Sequence, residues 1–352
     1  MALKNRRQFL TLALGAGGLA ALGIRPWGPW GSASSNPAVS ALLPEALGSG
    51  GLQLASRQSR ALGTEVSILA LHASQRVAQA GIAAAFDELE LVEDVMSLYR
   101  PQSQLCRLNR DGSLEQPHPY LLEVLRAAQE FSTQSDGAFD VTVQPLWELY
   151  WQAHKAGRLP EDRAIEAARQ KVGWRKLELS AKRIQLTEPG MALTLNGIAQ
   201  GYAADRVLAV LQARGISHAL VNTGEVGAMG RKADGQPWKV GIQHPRRPDA
   251  FLEVAALEGR CLSTSGDYAT SFTPDHVYNH IFDPATGRSP GEFSSVTVVA
   301  QRGTDADALS TALFVAGLQR GEALVQRTQG AEALFTRKDG STLATQGFPK
   351  AS

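Results

Sequence analysis

Leu195-Asn196-Gly197-Ile198-Ala199-Gln200-Gly201-Tyr202 joins two kinds of sequence. Upstream, residues 191–195 close a series of short alternating apolar segments, with 177–179 and 184–186 before them. Period-2 runs of this kind predict a meander of short strands. Downstream, Ile198, Tyr202, Val207, Leu208 and Leu211 recur at helical spacing, which predicts a helix over residues 198–213. Asn196-Gly197 is the turn between them. A strand, a tight turn and a helix start aim backbone groups at an anion. The octapeptide has neither the Lys-Ser/Thr of a phosphate loop nor the GxGxxG of a dinucleotide fold, so neither class is indicated.

On the N-terminal side of that junction, residues 61–71 read as a strand. Residues 74–96 read as a long amphipathic helix carrying Val77, Ile82, Ala85, Phe86, Leu89 and Val92. Residues 97–116 are polar and turn-rich and read as a long loop, of the kind that carries ligands. Residues 120–135 form a second helix, 139–143 a short β segment, and 145–151 and 161–171 two more helices. On the C-terminal side, short strands separated by Gly/Pro turns fill residues 219–299, and a final helix spans 305–317. Long helices mixed with short strands, without regular βαβ alternation, predict an α+β fold.

Composition narrows the class of protein. The 352 residues are 43% hydrophobic and 20% charged, which excludes a disordered chain and a fibre. With 35 Lys+Arg against 34 Asp+Glu there is no global basic field, so no nucleic-acid partner is expected. Four of those basic residues lie in the first 25 positions, which hold no acid; 31 basic against 34 acidic residues leave the body near −3. Two cysteines, Cys106 and Cys261, cannot build a disulfide framework or a four-thiolate metal site.

Asn5-Arg6-Arg7-Gln8-Phe9-Leu10 places an arginine pair directly before an apolar run ending at Ile24. This reads as a twin-arginine export signal. A run of about 15 residues is short for a hydrocarbon core that needs about 20, so cleavage rather than stable membrane insertion is expected. The expected organisation is a signal peptide over 1–33, a flexible leader over 34–56 and one domain over 57–345, with the mature protein in the periplasm.

Several short motifs carry chemical groups. Gly137-Ala138-Phe139-Asp140 reads alone as a helix C-cap feeding a strand, with Asp140 a solvated turn residue. His276 and His280 stand four apart, but Pro274 and the β-like Ile281-Phe282 argue against a helical metal face. In His280-Ile281-Phe282-Asp283-Pro284-Ala285-Thr286-Gly287 a strand should break at Asp283-Pro284 and turn at Thr286-Gly287. That leaves His280 and Asp283 near a strand end, or a plain β-turn with a surface histidine. Asp307 and Thr311 share one helix face, and a carboxylate beside a hydroxyl suits a hard cation. Alternatively, Asp307 complements the helix dipole.

Taken in order, these motifs form a series with Leu62-Gly63-Thr64, Met96-Ser97-Leu98-Tyr99 with Ser103 and Asn109, Val221-Asn222-Thr223-Gly224-Glu225, and Ser263-Thr264-Ser265-Gly266-Asp267-Tyr268. The series resembles the FAD:protein FMN transferase family, also called the ApbE family, over residues 57–345. The resemblance implies a single α+β unit holding FAD in a cleft between two lobes. It implies transfer of FMN from FAD to a Ser or Thr hydroxyl of a target flavoprotein, with release of AMP. It implies Mg2+ held by Asp307, Thr311 and the backbone carbonyl of Gly197. Tyr99, Ala138, Phe139 and Asp140 match flavin- and adenine-contacting positions, Leu62 and Ile281 would add apolar walls, and Thr194 and Gln200 stand at further FAD-contacting places. His280 or Asp283 is the nominated general base. Thr194, Asn196 and Gln200 depart from the family's usual aspartate, glycine and lysine, and Thr223-Gly224-Glu225 from its Gly-Gly-Asp. The Asn-Gly-Ile-Ala-Gln-Gly-Tyr form resembles the branch linked to maturation of nitrous oxide reductase. An FAD pyrophosphatase and a non-catalytic flavin-binding assembly factor are the alternative readings.

Overall fold

Val66, Ile68 and Ala70 enter one hydrophobic core, whereas Leu69 and Leu71 of the same strand enter another. Because successive side chains of a strand point to opposite faces, this sheet is covered on both sides. The computed structural model describes residues 51–351; the arginine pair, its apolar run and most of the leader lie outside the described residues.

The strands are β1 (Gln53–Ala61), β2 (Thr64–His72), β3 (Ser113–Glu115), β4 (Leu177–Leu179), β5 (Arg183–Leu186), β6 (His218–Asn222), β7 (Val226–Met229), β8 (Trp238–His244), β9 (Arg247–Leu257), β10 (Cys261–Gly266), β11 (Phe293–Ala300), β12 (Glu332–Arg337) and β13 (Thr342–Ala344). The helices are α1 (Gln75–Met96), α2 (Gln104–Asp111), α3 (Pro119–Gln134), α4 (Gln144–Lys155), α5 (Asp162–Arg169), α6 (Ala199–Gln212) and α7 (Gly303–Arg327). Eight strands form one sheet in the order β1-β2-β6-β7-β10-β11-β12-β13, every neighbouring pair antiparallel. A three-stranded sheet, β3-β5-β4, and a β8-β9 ribbon complete the β structure. This is the α+β architecture that the mixture of elements predicts.

Helices α1, α6 and α7 cover one face of the large sheet, burying Leu89, Val207 and Leu313 against Ile68, Val296 and Phe335. The β8-β9 ribbon covers the other face with Trp238, Val240 and Ile242 against Leu69, Leu220 and Val299. Each such aliphatic side chain contributes about 1.5–3 kcal/mol when fully buried. The double cover explains why all eight residues of β11 are buried and why its sequence shows no simple alternation. A smaller third core joins α4 and α5 to the segment after β10, through Leu146, Tyr150, Ile165, Phe272 and Phe282.

Several expectations are corrected. The expected strand over 61–71 is a hairpin: Leu62 and Gly63 both adopt left-handed φ, 53° and 73°, forming the two-residue turn between β1 and β2. The expected loop over 97–116 contains α2, whose Ser103 Oγ accepts from Cys106 N at 3.0 Å and whose C-cap is Gly112 at φ 71°. Residues 139–143 form no strand, because the Asp140 carboxylate accepts from Thr142 N and Thr142 Oγ1 and curls the chain. Residues 191–195 form no strand either. Asn109 takes the place of a neighbouring strand there, its amide donating to Leu193 O at 2.8 Å and accepting from Leu193 N at 2.7 Å.

Helix α7 continues past the expected stop at 317, across a kink where Gly317 has φ 78°. The folded unit also outruns 57–345, since β1 starts at Gln53 and the chain end returns to β9, with Ala351 N donating to Val254 O at 2.7 Å. No helix among the described residues is long and apolar enough to cross a membrane.

Candidate active site

The site forms where α6 and α7 cross beneath β10. Asp205 of α6 caps α7 from outside that helix: its carboxylate accepts from Gly303 N at 2.6 Å, Thr304 N at 2.9 Å and Thr304 Oγ1 at 2.6 Å. In return, Gly201 N at the start of α6 donates to Asp307 Oδ2 at 2.9 Å. The two helix starts are thereby locked together by reciprocal carboxylate bonds.

Asp307 and Thr311 stand one turn apart on α7. A Cβ on Gly197 would lie 2.9 Å from Thr311 Oγ1 and 3.4 Å from the Phe139 ring, so the Asn196-Gly197 turn is seated against that hydroxyl. The Gly197 turn thus lies against Thr311, one helical turn from Asp307, with Phe139 beside the turn. The alternation of β10 turns Ser263 and Ser265 toward α7, while Thr264 points away and pairs with Thr297 at 2.9 Å. Gln200 folds against Gly224 of the β6-β7 turn, where a Cβ would lie 2.6 Å from its Cδ. Thr223 Oγ1 donates to Gln200 O at 2.9 Å.

Burial raises the Asp307 carboxyl to about 7, and the neighbouring Asp205 carboxylate adds to the shift. Burial and then the charge of Asp307 push Glu225 up as well. The hydrogen-bond partners of the Asp307 carboxyl include the backbone of Gly201 and Gln200 and the Ser263 hydroxyl, none of them cationic. An acid that is 3% exposed, faces further acids and has no cation among its hydrogen-bond partners fits a hard divalent ion. The Gly197 backbone approaches the Thr311 hydroxyl closely, since a Cβ there would lie 2.9 Å from Oγ1. Among the described residues no three His, Cys, Asp or Glu side chains are grouped as metal ligands. An ion here would thus take one carboxylate, hydroxyl and carbonyl oxygens, and water or phosphate for the rest, as Mg2+ commonly does.

The other predicted site residues fall into three groups. Leu62 and Tyr99 are brought together at the end of α1: a Cβ on Gly63 would lie 3.9 Å from the Tyr99 ring, which is 44% exposed. Ala138, Phe139 and Asp140 are buried, so Asp140 is no solvated turn residue. Its second oxygen accepts from Trp174 N at 3.0 Å, and Thr194 N reaches Val141 O at 2.8 Å, so Thr194 lies along this segment. Ile281 is buried in the main core.

His280 and Asp283 belong to the segment packed on α4 and α5. His280 Nδ1 lies 3.2 Å from Thr270 O. A carbonyl can only accept, so Nδ1 carries the proton and Nε2 the lone pair. Burial lowers the imidazole to about 4, keeping it neutral at physiological pH. Asp283 is committed differently, its carboxylate accepting from Ala285 N at 2.9 Å and Thr286 Oγ1 at 3.1 Å within the turn.

Sequence reasoning assigned no role to Asp205, Ser263, Ser265 or Glu225, although all lie in the motif series. Nor did it assign one to Glu93, whose Oε1 accepts from Leu62 N at 2.8 Å and whose Oε2 pairs with Arg100 at 2.7 Å. Nothing in a local pattern marks these residues, because their partners, Arg100 apart, are distant in the chain.

The fold is shared with solved flavin transferases. The flavinyl transferase ApbE of Pseudomonas stutzeri superposes with a TM-score of 0.74 at 32% identity, over 84% of this chain and 95% of that one. The flavin transferase ApbE of Vibrio cholerae does so with a TM-score of 0.73 at 28% identity, over 84% and 98%. The FAD:protein FMN transferase of Salmonella typhimurium is 31% identical over 277 residues, 75% of this chain and 78% of that protein. That of Treponema pallidum is 31% identical over 296 residues, 76% and 80%. The ApbE family model matches residues 62–335, and the chain belongs to the ApbE family.

Proposed function

We propose that this protein transfers FMN from FAD to a Ser or Thr hydroxyl of a target flavoprotein in a reaction that depends on Mg2+, and that it works in the periplasm. The observation that supports the proposal is the seating of the Gly197 turn against Thr311, one helical turn from the buried Asp307. In the reaction the acceptor oxygen attacks the FMN-side phosphorus, a phosphoester bond forms, the P–O bond to the bridging oxygen breaks, and AMP leaves. Asp307, Thr311 and the Gly197 carbonyl would hold a divalent ion, which would supply positive charge to offset the charge building on the pyrophosphate. The near-neutral body makes such a borrowed cation a more economical device than a basic patch.

The chain's own groups account for the other requirements. The imidazole of His280, kept neutral by burial, is the group assigned to take the acceptor proton. This favours His280 over Asp283 as the base. Leu62, Tyr99 and Phe139 offer apolar and aromatic walls for a planar heterocycle. The periplasmic location draws on Arg6-Arg7 before its apolar run, and the link to nitrous oxide reduction on the Asn196-to-Tyr202 motif.

Incubation with FAD, Mg2+ and a flavoprotein acceptor domain should give a flavin-fluorescent band that survives denaturation and is lost with EDTA. Release of free FMN at an equal rate without acceptor would instead support the pyrophosphatase reading. Persistence of target maturation with Asp307→Ala would support the assembly-factor reading.

A further inference from the structure

Four hydroxyls run from β10 to α7, and their hydrogen bonds have one consistent direction. Ser310 Oγ lies 2.9 Å from Asp307 O; because a carbonyl only accepts, the single Ser310 proton is committed there. Ser265 Oγ, 2.8 Å from Ser310 Oγ, must then be the donor in that contact. With its own proton used, Ser265 can only accept from Thr311 Oγ1, 3.1 Å away. Ser263 Oγ, 3.3 Å from Ser310 Oγ and 3.5 Å from Asp307 Oδ1, has one proton for these contacts and receives none from Ser310, so it does not reverse the chain's direction. The Thr311 proton therefore points at Ser265, and its lone pairs point elsewhere.

We infer that Ser265 is a positioning residue that orients the Thr311 hydroxyl so that its lone pairs are available to the divalent cation. A hydroxyl ligates a cation through a lone pair and must place its proton away from it, and outer partners that fix such an orientation tune metal affinity. Ser310 closes the chain on a helix carbonyl, so the direction does not reverse. The fold supplies the arrangement by two periodicities: alternation sets Ser263 and Ser265 on one face of β10, and helical spacing sets Ser310 next to Thr311 on α7. The Gly197 turn lies against the same hydroxyl. The inference rests on the proposed cation site.

Mn2+ binding by the full-length protein with FAD present, followed by electron paramagnetic resonance, tests both levels without turnover. Wild-type protein should bind Mn2+, Ser265→Ala should bind it about tenfold more weakly, and Ser265→Thr should stay within about twofold of wild type. Wild-type protein that binds no Mn2+ would overturn the cation-site reading itself. Wild-type binding with an unchanged Ser265→Ala, or a Ser265→Thr as weak as the alanine variant, would overturn the role of Ser265 alone. Should Ser265→Ala fail to fold, Ser310→Ala serves in its place: it removes the acceptor that fixes the direction and should also weaken Mn2+ binding severalfold, and unchanged binding there would overturn the inference.

Discussion

Gly201 and Gly303 meet backbone to backbone: a Cβ on Gly201 would lie 2.5 Å from the carbonyl carbon of Gly303 and 2.7 Å from Cβ of Asp307. The two helix starts can approach this closely only because both positions lack a side chain. Gly201→Ala should therefore force α6 and α7 apart and cost more than about 3 kcal/mol, since backbone cannot yield as a flexible side chain does. Chemical denaturation checks this. Gly291→Ala, where a Cβ meets nothing within 4 Å, should change stability by less than about 0.5 kcal/mol.

Asp205 satisfies two backbone donors of α7, whose N-cap Arg302 makes no side-chain capping bond. Its replacement by alanine should cost about 1–2 kcal/mol, the range of a lost helix cap. The same change should lower kcat, because the first turns of α7 carry Asp307. Thermal unfolding and initial-rate measurements on one preparation would show both effects, and a loss of stability with unchanged kcat would separate capping from catalysis.

Glu93 holds Leu62 through one oxygen and Arg100, next to Tyr99, through the other. If Leu62 and Tyr99 wall the flavin, Glu93→Ala should raise the KM for FAD about tenfold, as expected for loss of charge-assisted hydrogen bonds. At saturating FAD, kcat should change little. FAD titrations of wild type and variant make the comparison.

His280 predicts a signed pH dependence. Its folded value of about 4 lies below the ordinary 6.5, so between those values the unfolded chain binds the extra proton. Stability from this group is complete above pH 6.5 and is lost as pH falls toward 4, by up to about 3 kcal/mol. His280→Gln should flatten the stability profile between pH 4 and 6.5. As a general base, His280 should also be worth about 100-fold or more in kcat, so the variant's activity should fall by that factor at pH 7.

Substitution at the proposed ion site gives the sharpest functional outcome. Asp307→Asn keeps the shape and removes the charge, and should lower Mg2+-dependent FMN transfer by at least about 100-fold. A variant that folds normally and transfers FMN at the wild-type rate would remove Asp307 from the chemistry.

Short-range signals were readable from the chain alone. The spacing of Ile82, Leu89 and Val92 located α1, and the four-residue step from Asp307 to Thr311 placed a carboxylate and a hydroxyl on one face of α7. The order of motifs pointed to the family. Where the reading failed, a distant residue had replaced a local partner: Asn109 clasps Leu193 across 84 positions, so a segment that alternates like a strand is not one. The α2 helix was obscured by its polar sequence, although Ser103 and Gly112 stand at its two ends as caps.

Side-chain periodicity depends on neighbours within one turn or one pleat, so amino-acid order alone determined which residues share a face and that acid and hydroxyl travel together. Which faces meet depended on sheet order and on the clearance between helices. Only the folded chain could place Ser265 on Ser310 and Thr311, Asp205 on the start of α7, and the proton of His280 on Nδ1. Those contacts span 45, 46, 98 and 10 residues, and they exist because β10, α6 and α7 pack around two glycines that let backbone touch backbone.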